Sequence, residues 1–399
     1  MPEKLNLIDL FAGCGGLTDG FLQTGRYKTL AAVDWERPAL ETLKNRLKTK
    51  WNYKSDKIFV HFDLQRTEEL INGFEDINYG KSEGLTKLVE NNEVDIIVGG
   101  PPCQAYSIAG RVRDKDGMQS DYRNFLFESY INIVNQFKPK AFVFENVEGI
   151  LSATPGGISI IDRIRKEFGE IGYEITDELK KNALFDISYF QVPQRRKRVI
   201  IFGVKKSDKS REIIEQFYSS IRDCSTDLPR IVKTAFEGLP KIYPSKSEEP
   251  TSHIVETDSQ IQLKNHTPRK HNERDIKVFR LLADDIKSGR EQYTSVKELV
   301  KLYERVTGKK SKFHKYHVIR EDKPSNTIPA HLYKDGLRHI HPDPNQARSI
   351  TVREAARIQG FDDDFEFLGS MGDQFKMIGN AVPPIFSKLI AETIIKLNL

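Results

Sequence analysis

Apolar and polar positions divide the chain into two stretches with different rhythms. Up to about residue 205, short β-type apolar runs alternate with longer amphipathic ones. LNLIDLF from Leu5, YKTLAAVDW from Tyr27, KIFVHFD from Lys57, VDIIVGG from Val94 and PKAFVFENV from Pro139 read as buried strands. Between them, RPALETLKNRL, with Pro38 in its first turn, and RNFLFESYINIVNQF from Arg123 read as helices. This alternation predicts an α/β fold with a doubly wound, mostly parallel sheet, whose ligands gather at the carboxyl ends of the strands.

A last strand, Arg198 to Val204, follows the proline-marked loop QVPQRRKR. From Ser207 to Ser325 the periodicity weakens, which predicts a second, smaller domain. The run IFSKLIAETIIKL then carries a stripe of Ile385, Leu389, Ile390, Ile394 and Ile395 that must be buried against something. It is expected to return to the first domain and cover its sheet. The expected division is residues 1–205, a smaller domain over 206–371, and a returning segment over 372–399.

Composition narrows the class. Of 399 residues, 38% are apolar and 30% charged, the balance of a globular chain with a large core. No apolar run reaches the ~20 residues that span a bilayer, and MPEKLNLIDLF lacks the basic-then-apolar order of a secretion signal. A cytoplasmic, nucleoid-associated protein without a membrane partner is expected. Cys14, Cys103 and Cys224 are too few for a disulfide framework and lack the paired spacing of a zinc site, so no metal is expected. The net charge is only +5, yet between Lys301 and Arg320 seven cationic side chains face one acid. A local basic stretch suits a phosphate backbone, though a solvated helix face would look the same.

Candidate chemistry collects at the predicted strand ends. DLFAGCGGLTDGF sets Gly13, Gly15, Gly16 and Gly20 where the first strand turns into its helix, a place where backbone can approach a cofactor closely. A dinucleotide fingerprint would need a third glycine where Thr18 stands. Asp34, ending the second strand 19 residues after Gly15, can accept ribose hydroxyls. Trp35 beside it can stack on adenine or pack in the core. Asp63, in VHFD, can take the adenine amino group or cap a helix. Together these favour an adenosyl cofactor, S-adenosylmethionine, over a dinucleotide.

GGPPCQAYS follows the fourth strand, and its glycines and prolines hold Cys103 on a stiff loop. Cys14 and Cys224 read as inert thiols. FENVEG places Glu145 and Asn146 at the end of the fifth strand, where a carboxylate after AFVF must be paired or catalytic. Alternation along QVPQRRKR turns Gln194, Arg196 and Arg198 to one side and Arg195 and Lys197 to the other.

The ordered set DLFAGCGG, GGPPCQAYS, FENV, QRRKR, SITVREAARIQGF and QFKMIGNAVPP resembles the DNA cytosine-5 methyltransferase family over most of the chain outside the variable region. The resemblance implies Cys103 as nucleophile on cytosine C6, Glu145 as the group holding N3, and Arg196 and Arg198 as supports of a flipped base. It implies Phe11, Pro101, Asn380 and Val382 beside the cofactor, with S-adenosylhomocysteine as product, and a target-recognition domain after QRRKR. Asp34 stands where the family more often has glutamate. A water positioned by Asn146 or by the Cys103 loop is expected to remove the C5 proton. Gln104 to Arg123 is expected to close over the base, and Lys264 to Arg274 with Lys301 to Arg320 to carry base-reading and phosphate-binding groups. Double-stranded DNA, a monomeric state and functional pairing with a restriction endonuclease complete the expectation. The competing readings are a transfer-RNA cytosine-5 methyltransferase, whose Cys-Phe-Thr tripeptide is absent (Cys224 lies in DCST), and a non-catalytic DNA-binding protein.

Overall fold

The computed structural model describes residues 3–102, 126–245, 253–255, 263–310, 316–334 and 336–399. They form two compact units: Met1–Phe190 with Arg196–Asp227 and Ala381–Leu399, and Gln191–Arg195 with Leu228–Asn380.

The first unit is built on a sheet of strands β1 (Leu5–Leu10), β2 (Tyr27–Asp34), β3 (Phe59–His61), β4 (Ile96–Gly99), β5 (Ala141–Val147), β6 (Tyr173–Ile175), β7 (Leu184–Asp186) and β8 (Lys197–Lys205). Their order is β3-β2-β1-β4-β5-β8-β6, with β7 also on β8. β3, β2, β1, β4 and β5 run parallel, whereas β8 is antiparallel to β5, β6 and β7. Helices flank them because parallel strands need long crossovers, and the doubly buried strands are accordingly mostly apolar runs. Phe142 of β5 stacks on Phe168 at 4.0 Å, and Phe202 of β8 on Phe217 at 3.9 Å.

The parallel register positions the site. Val33, Leu10, Gly99 and Phe144 stand level across β2, β1, β4 and β5. The residues that follow them, Asp34, Phe11, Gly100 and Glu145, therefore share one edge of the sheet.

Helix α1 (Gly16–Leu22) is buried along its whole length. It packs against the helix Pro384–Lys396 through glycine. A Cβ on Gly16 would lie 2.2 Å from the Val382 carbonyl oxygen, and one on Gly20 2.6 Å from the Pro384 oxygen. The buried residues of Pro384–Lys396 are Pro384, Phe386, Ser387, Ile390, Ala391, Thr393 and Ile394. This buried face is rotated from the isoleucine stripe toward small residues because Gly20 demands close approach.

The second unit holds helices Glu273–Lys287 and Val296–Thr307 in a region whose periodicity read as weak. Their signals are local: Asn272 and Ser295 cap the N-termini, and Gly308 closes the second helix at φ 68°. Helix Val352–Ile358 begins with a capping box between Thr351 and Glu354. Arg348 holds the Glu354 carboxylate through two bonds of 2.7 and 2.6 Å, fully buried. No helix among the described residues is long and apolar enough to cross a membrane.

Candidate functional site

At the end of β1 the chain reverses sharply. Phe11 takes φ 58°, a rare conformation for a side chain with a Cβ, and Gly13 and Gly15 follow at 54° and 93°. Two bonds pin this loop to β2: Ala12 N–H donates to the Val33 carbonyl at 3.0 Å, and Gly13 N–H to Asp34 Oδ2 at 2.7 Å. Asp34 Oδ1 accepts from Glu36 N–H at 2.7 Å. Asp34 therefore orders the loop and the following turn while sitting at the sheet edge. Thr18, where a dinucleotide fingerprint has glycine, donates its hydroxyl to buried Asp9 at 2.5 Å beneath the loop. Burial pushes the Asp9 carboxyl up to about 7. Neither role of Asp9 or Thr18 is visible in the pattern, because a polar residue in an apolar run shows that it is buried but not what it meets.

Among the described residues, space above the loop is open: a Cβ on Gly13 would meet nothing within 4 Å. Trp35 is 43% exposed next to it, which for an indole at a strand end is unusual packing and a ready stacking face. Asp63 is tied into a local turn, accepting from Gln65 N–H at 3.0 Å; it caps no helix, Arg66 occupying the cap of Thr67–Asn72. A carboxylate at a strand end, an exposed indole and a glycine loop with free space fit an adenosyl group. Val382 lies buried against Gly16 in this unit, while exposed Asn380 ends a helix of the second.

Beyond β4, which ends at Gly99, Gly100 and buried Pro101 lead toward Cys103, which with residues 104–125 lies outside the described residues. Glu145 ends the apolar run of β5 and is nearly buried; Arg198 Nε meets its Oε1 at 2.7 Å. A carboxylate desolvated to this degree requires such a partner. Antiparallel pairing of β8 with β5, Ile200 opposite Glu145 and Arg198 opposite Val147, brings the two together. Asn146 donates from Nδ2 to the Pro101 carbonyl at 3.3 Å and accepts from Val147 N–H at 2.9 Å, so it fastens the loop entering Cys103. Arg196 is fully buried and donates to the Ala381 carbonyl at 3.1 Å. Along this stretch Gln194 and Arg196 are buried and Arg195 and Lys197 exposed, the alternation expected. Of the other thiols, Cys14 is buried, its pKa pushed far up by desolvation, and Cys224 is exposed after the helix Ser210–Asp223.

Gly100 fits beneath Glu145 only without a side chain: an added Cβ would come 2.6 Å from Oε2. The Gly100→Ala variant is expected to keep the parent thermal stability, since a carboxylate tip can swing away, but to lose roughly 10²-fold in kcat through misplacement. Melting curves and single-turnover rates would check both.

A family model for C-5 cytosine-specific DNA methylase matches residues 5–396. The chain is 34% identical to type II methyltransferase M.Bpa9945I of Bacillus paralicheniformis, covering 97% of this chain and 98% of that one. It is 30% identical to M.DdeI of Desulfomicrobium norvegicum, covering 98% and 88%. Among solved structures, the Dnmt2 methyltransferase of S. pombe superposes with a TM-score of 0.56 at 15% identity over 99% of this chain and 100% of that one, a likeness of fold. The glycine loop, the Glu145–Arg198 pair and these matches together establish that the chain belongs to the C-5 cytosine-specific DNA methylase family.

Proposed function

We propose that the protein transfers a methyl group from S-adenosylmethionine to carbon 5 of a cytosine flipped out of a specific double-stranded DNA sequence, through a transient Cys103–C6 bond. The biological setting is that of a modification enzyme paired with a restriction endonuclease, supported by the type II methyltransferases among its relatives. One observation carries the mechanism: Glu145, held by Arg198 at 2.7 Å, lies against the Gly100 backbone of the loop that runs into Cys103.

Carbon 5 of cytosine is a weak nucleophile. In the proposed reaction the Cys103 thiolate bonds to C6 and the C5=C6 electron pair moves toward C5, while Glu145 gives a proton or a short hydrogen bond to N3. S-adenosylmethionine would supply an electrophilic methyl to C5, its sulfur–methyl bond breaking to leave S-adenosylhomocysteine. A base then removes the C5 proton, the double bond re-forms and the thiolate leaves. Asn146, committed to Pro101 and Val147, supports this as a positioning residue of the Cys103 loop; a water bound at that loop serves as the base. Arg198 orients Glu145 and supports the flipped base, and Arg196 holds the Ala381 segment. Phe11, Gly13, Gly15, Gly16, Asp34, Trp35, Asp63, Pro101, Asn380 and Val382 are the residues proposed to hold the cofactor. The second unit is the proposed target-recognition domain, and turning the base out costs a few kcal/mol.

Incubation with methyl-labelled S-adenosylmethionine and either duplex DNA or transfer RNA, followed by mapping of modified cytosines, tests this reading. Label at C5 within one DNA sequence is expected, and none with Cys103→Ser. Label in transfer RNA alone, or a serine variant as fast as the parent, would overturn it.

A further inference from the structure

The helix Val296–Thr307 has two unlike faces. Leu299 and Leu302, with Tyr303 and Val306, enter a small core shared with Phe279 and Leu282 of the preceding helix. This packing fixes the orientation of the outer face. There Lys297, Lys301 and Arg305 are exposed and recur at every fourth position, with no acid among them. At ~1.5 Å rise per residue they stand about 6 Å apart, on the order of the spacing between successive phosphates of one strand. Lys309 and Lys310, also exposed, continue the series just after Gly308 turns the chain.

Two acids, Glu298 and Glu304, share the helix with these three cations, and Lys309 and Lys310 beyond it keep residues 296–310 at a net +3. Glu298 reaches Lys301 at 3.1 Å from the flank, and Arg305 Nη2 lies 3.4 Å from the Tyr293 hydroxyl. The preceding helix, Glu273–Lys287, balances four cations against four acids, with Glu273 paired to Lys277 and Asp284 to Arg290. Cations near a helix C-terminus also relieve its macrodipole, but that benefit fades within the last turn and does not account for Lys297 in the first. A membrane-surface helix would turn its apolar face to lipid, and here that face is buried in the protein's own core.

We propose that Lys297, Lys301 and Arg305 form a ridge that grips the sugar-phosphate backbone of duplex DNA without reading sequence, a role that rests on the DNA methyltransferase reading and locates part of its affinity. Phosphate contacts release counterions, so each one lost lowers the dependence of log K on log salt by about 0.9.

The test uses the full chain and a Lys297→Gln, Lys301→Gln, Arg305→Gln triple variant. Binding is measured across a salt series to duplex DNA with the mapped target, duplex DNA of unrelated sequence, duplex RNA, and anionic lipid vesicles. The salt slope on both DNAs is expected to fall by about 2 to 3, with both affinities reduced by the same factor of tenfold or more. A charge-retaining Lys297→Arg, Lys301→Arg, Arg305→Lys variant should restore the slope. S-adenosylhomocysteine affinity and hydrogen exchange around Phe279 should match the parent, excluding a folding defect. An unchanged slope, a changed ratio of target to unrelated DNA, a loss confined to RNA or vesicles, or no rescue by the charge-retaining variant would overturn the ridge. If the parent neither binds DNA nor methylates it, the functional reading falls as well; if it does both and the triple variant equals it, only the ridge falls.

Discussion

Replacing Glu145 by glutamine is expected to lower kcat for methyl transfer to duplex DNA by about 10²–10⁴-fold. Glutamine keeps the volume of the side chain and an oxygen acceptor for Arg198 Nε, the partner Glu145 meets at 2.7 Å. What it loses is the ability to pass a proton to N3 as the thiolate adds to C6, the step proposed for Glu145. Residual turnover is expected because an amide N–H can still hydrogen-bond N3. Removing Arg198 instead would be a poorer probe, since an unpaired buried carboxylate costs about 3–5 kcal/mol and would mix stability with rate. Single-turnover transfer from labelled cofactor, at DNA concentrations that saturate both proteins, is the measurement. A glutamine variant within threefold of the parent would remove Glu145 from the chemistry.

Mild acid is expected to unfold the second unit. Burial holds His271, His339 and His341 neutral, pushing each down to about 3; nearby cationic or histidine side chains add to the effect. At His339 burial and the neighbouring His317 and Arg338 outweigh the backbone of Thr327 and Asn326, which favours the cation. The folded pKa values lie below the unfolded value near 6.5, so the stability these groups confer is complete above that pH and is lost as pH falls from 6.5 toward 3. Below pH 5.5 each unfolded-state histidine binds a proton that the folded state refuses, and the three together give a slope of roughly 4 kcal/mol per pH unit. Glu354 does not offset this between pH 6.5 and 5. Although burial alone would raise it, Arg348 holds it far below the usual carboxylate range. Hydrogen exchange in peptides spanning Glu273–Thr307, followed with denaturant at pH 7, 6 and 5, reads this unit directly. Equal stability at pH 7 and 5 would contradict the assignment.

The sheet was legible because each of its long strands is an apolar run, and the register of those runs brings Asp34, Phe11, Gly100 and Glu145 to one edge. Strand direction was not: RVIIFGV reads as buried whether it runs parallel or, as observed, antiparallel to β5. The strands Tyr173–Ile175 and Leu184–Asp186 are three residues long, too short to impose a period. The helices Glu273–Lys287 and Val296–Thr307 escaped notice because their apolar stripes are interrupted by charge, although Asn272, Ser295 and Gly308 mark their ends. At the site, residue types identified Glu145 and Arg198 as candidates, but a sequence holds no record of who meets whom. That Asn146 fastens Pro101, that Asp34 accepts from Gly13, and that Gly100 makes room for Glu145 all depend on residues distant in the chain.

The close fit of Gly16 and Gly20 against Val382 and Pro384 has a consequence for synthesis. A ribosome produces the glycine loop before the second unit, yet the helix that buttresses it is translated only after that unit. Until then the nascent first unit leaves uncovered the apolar flank of Gly16–Leu22 that this helix buries, so the order of translation is expected to delay its closure until the second unit has been made.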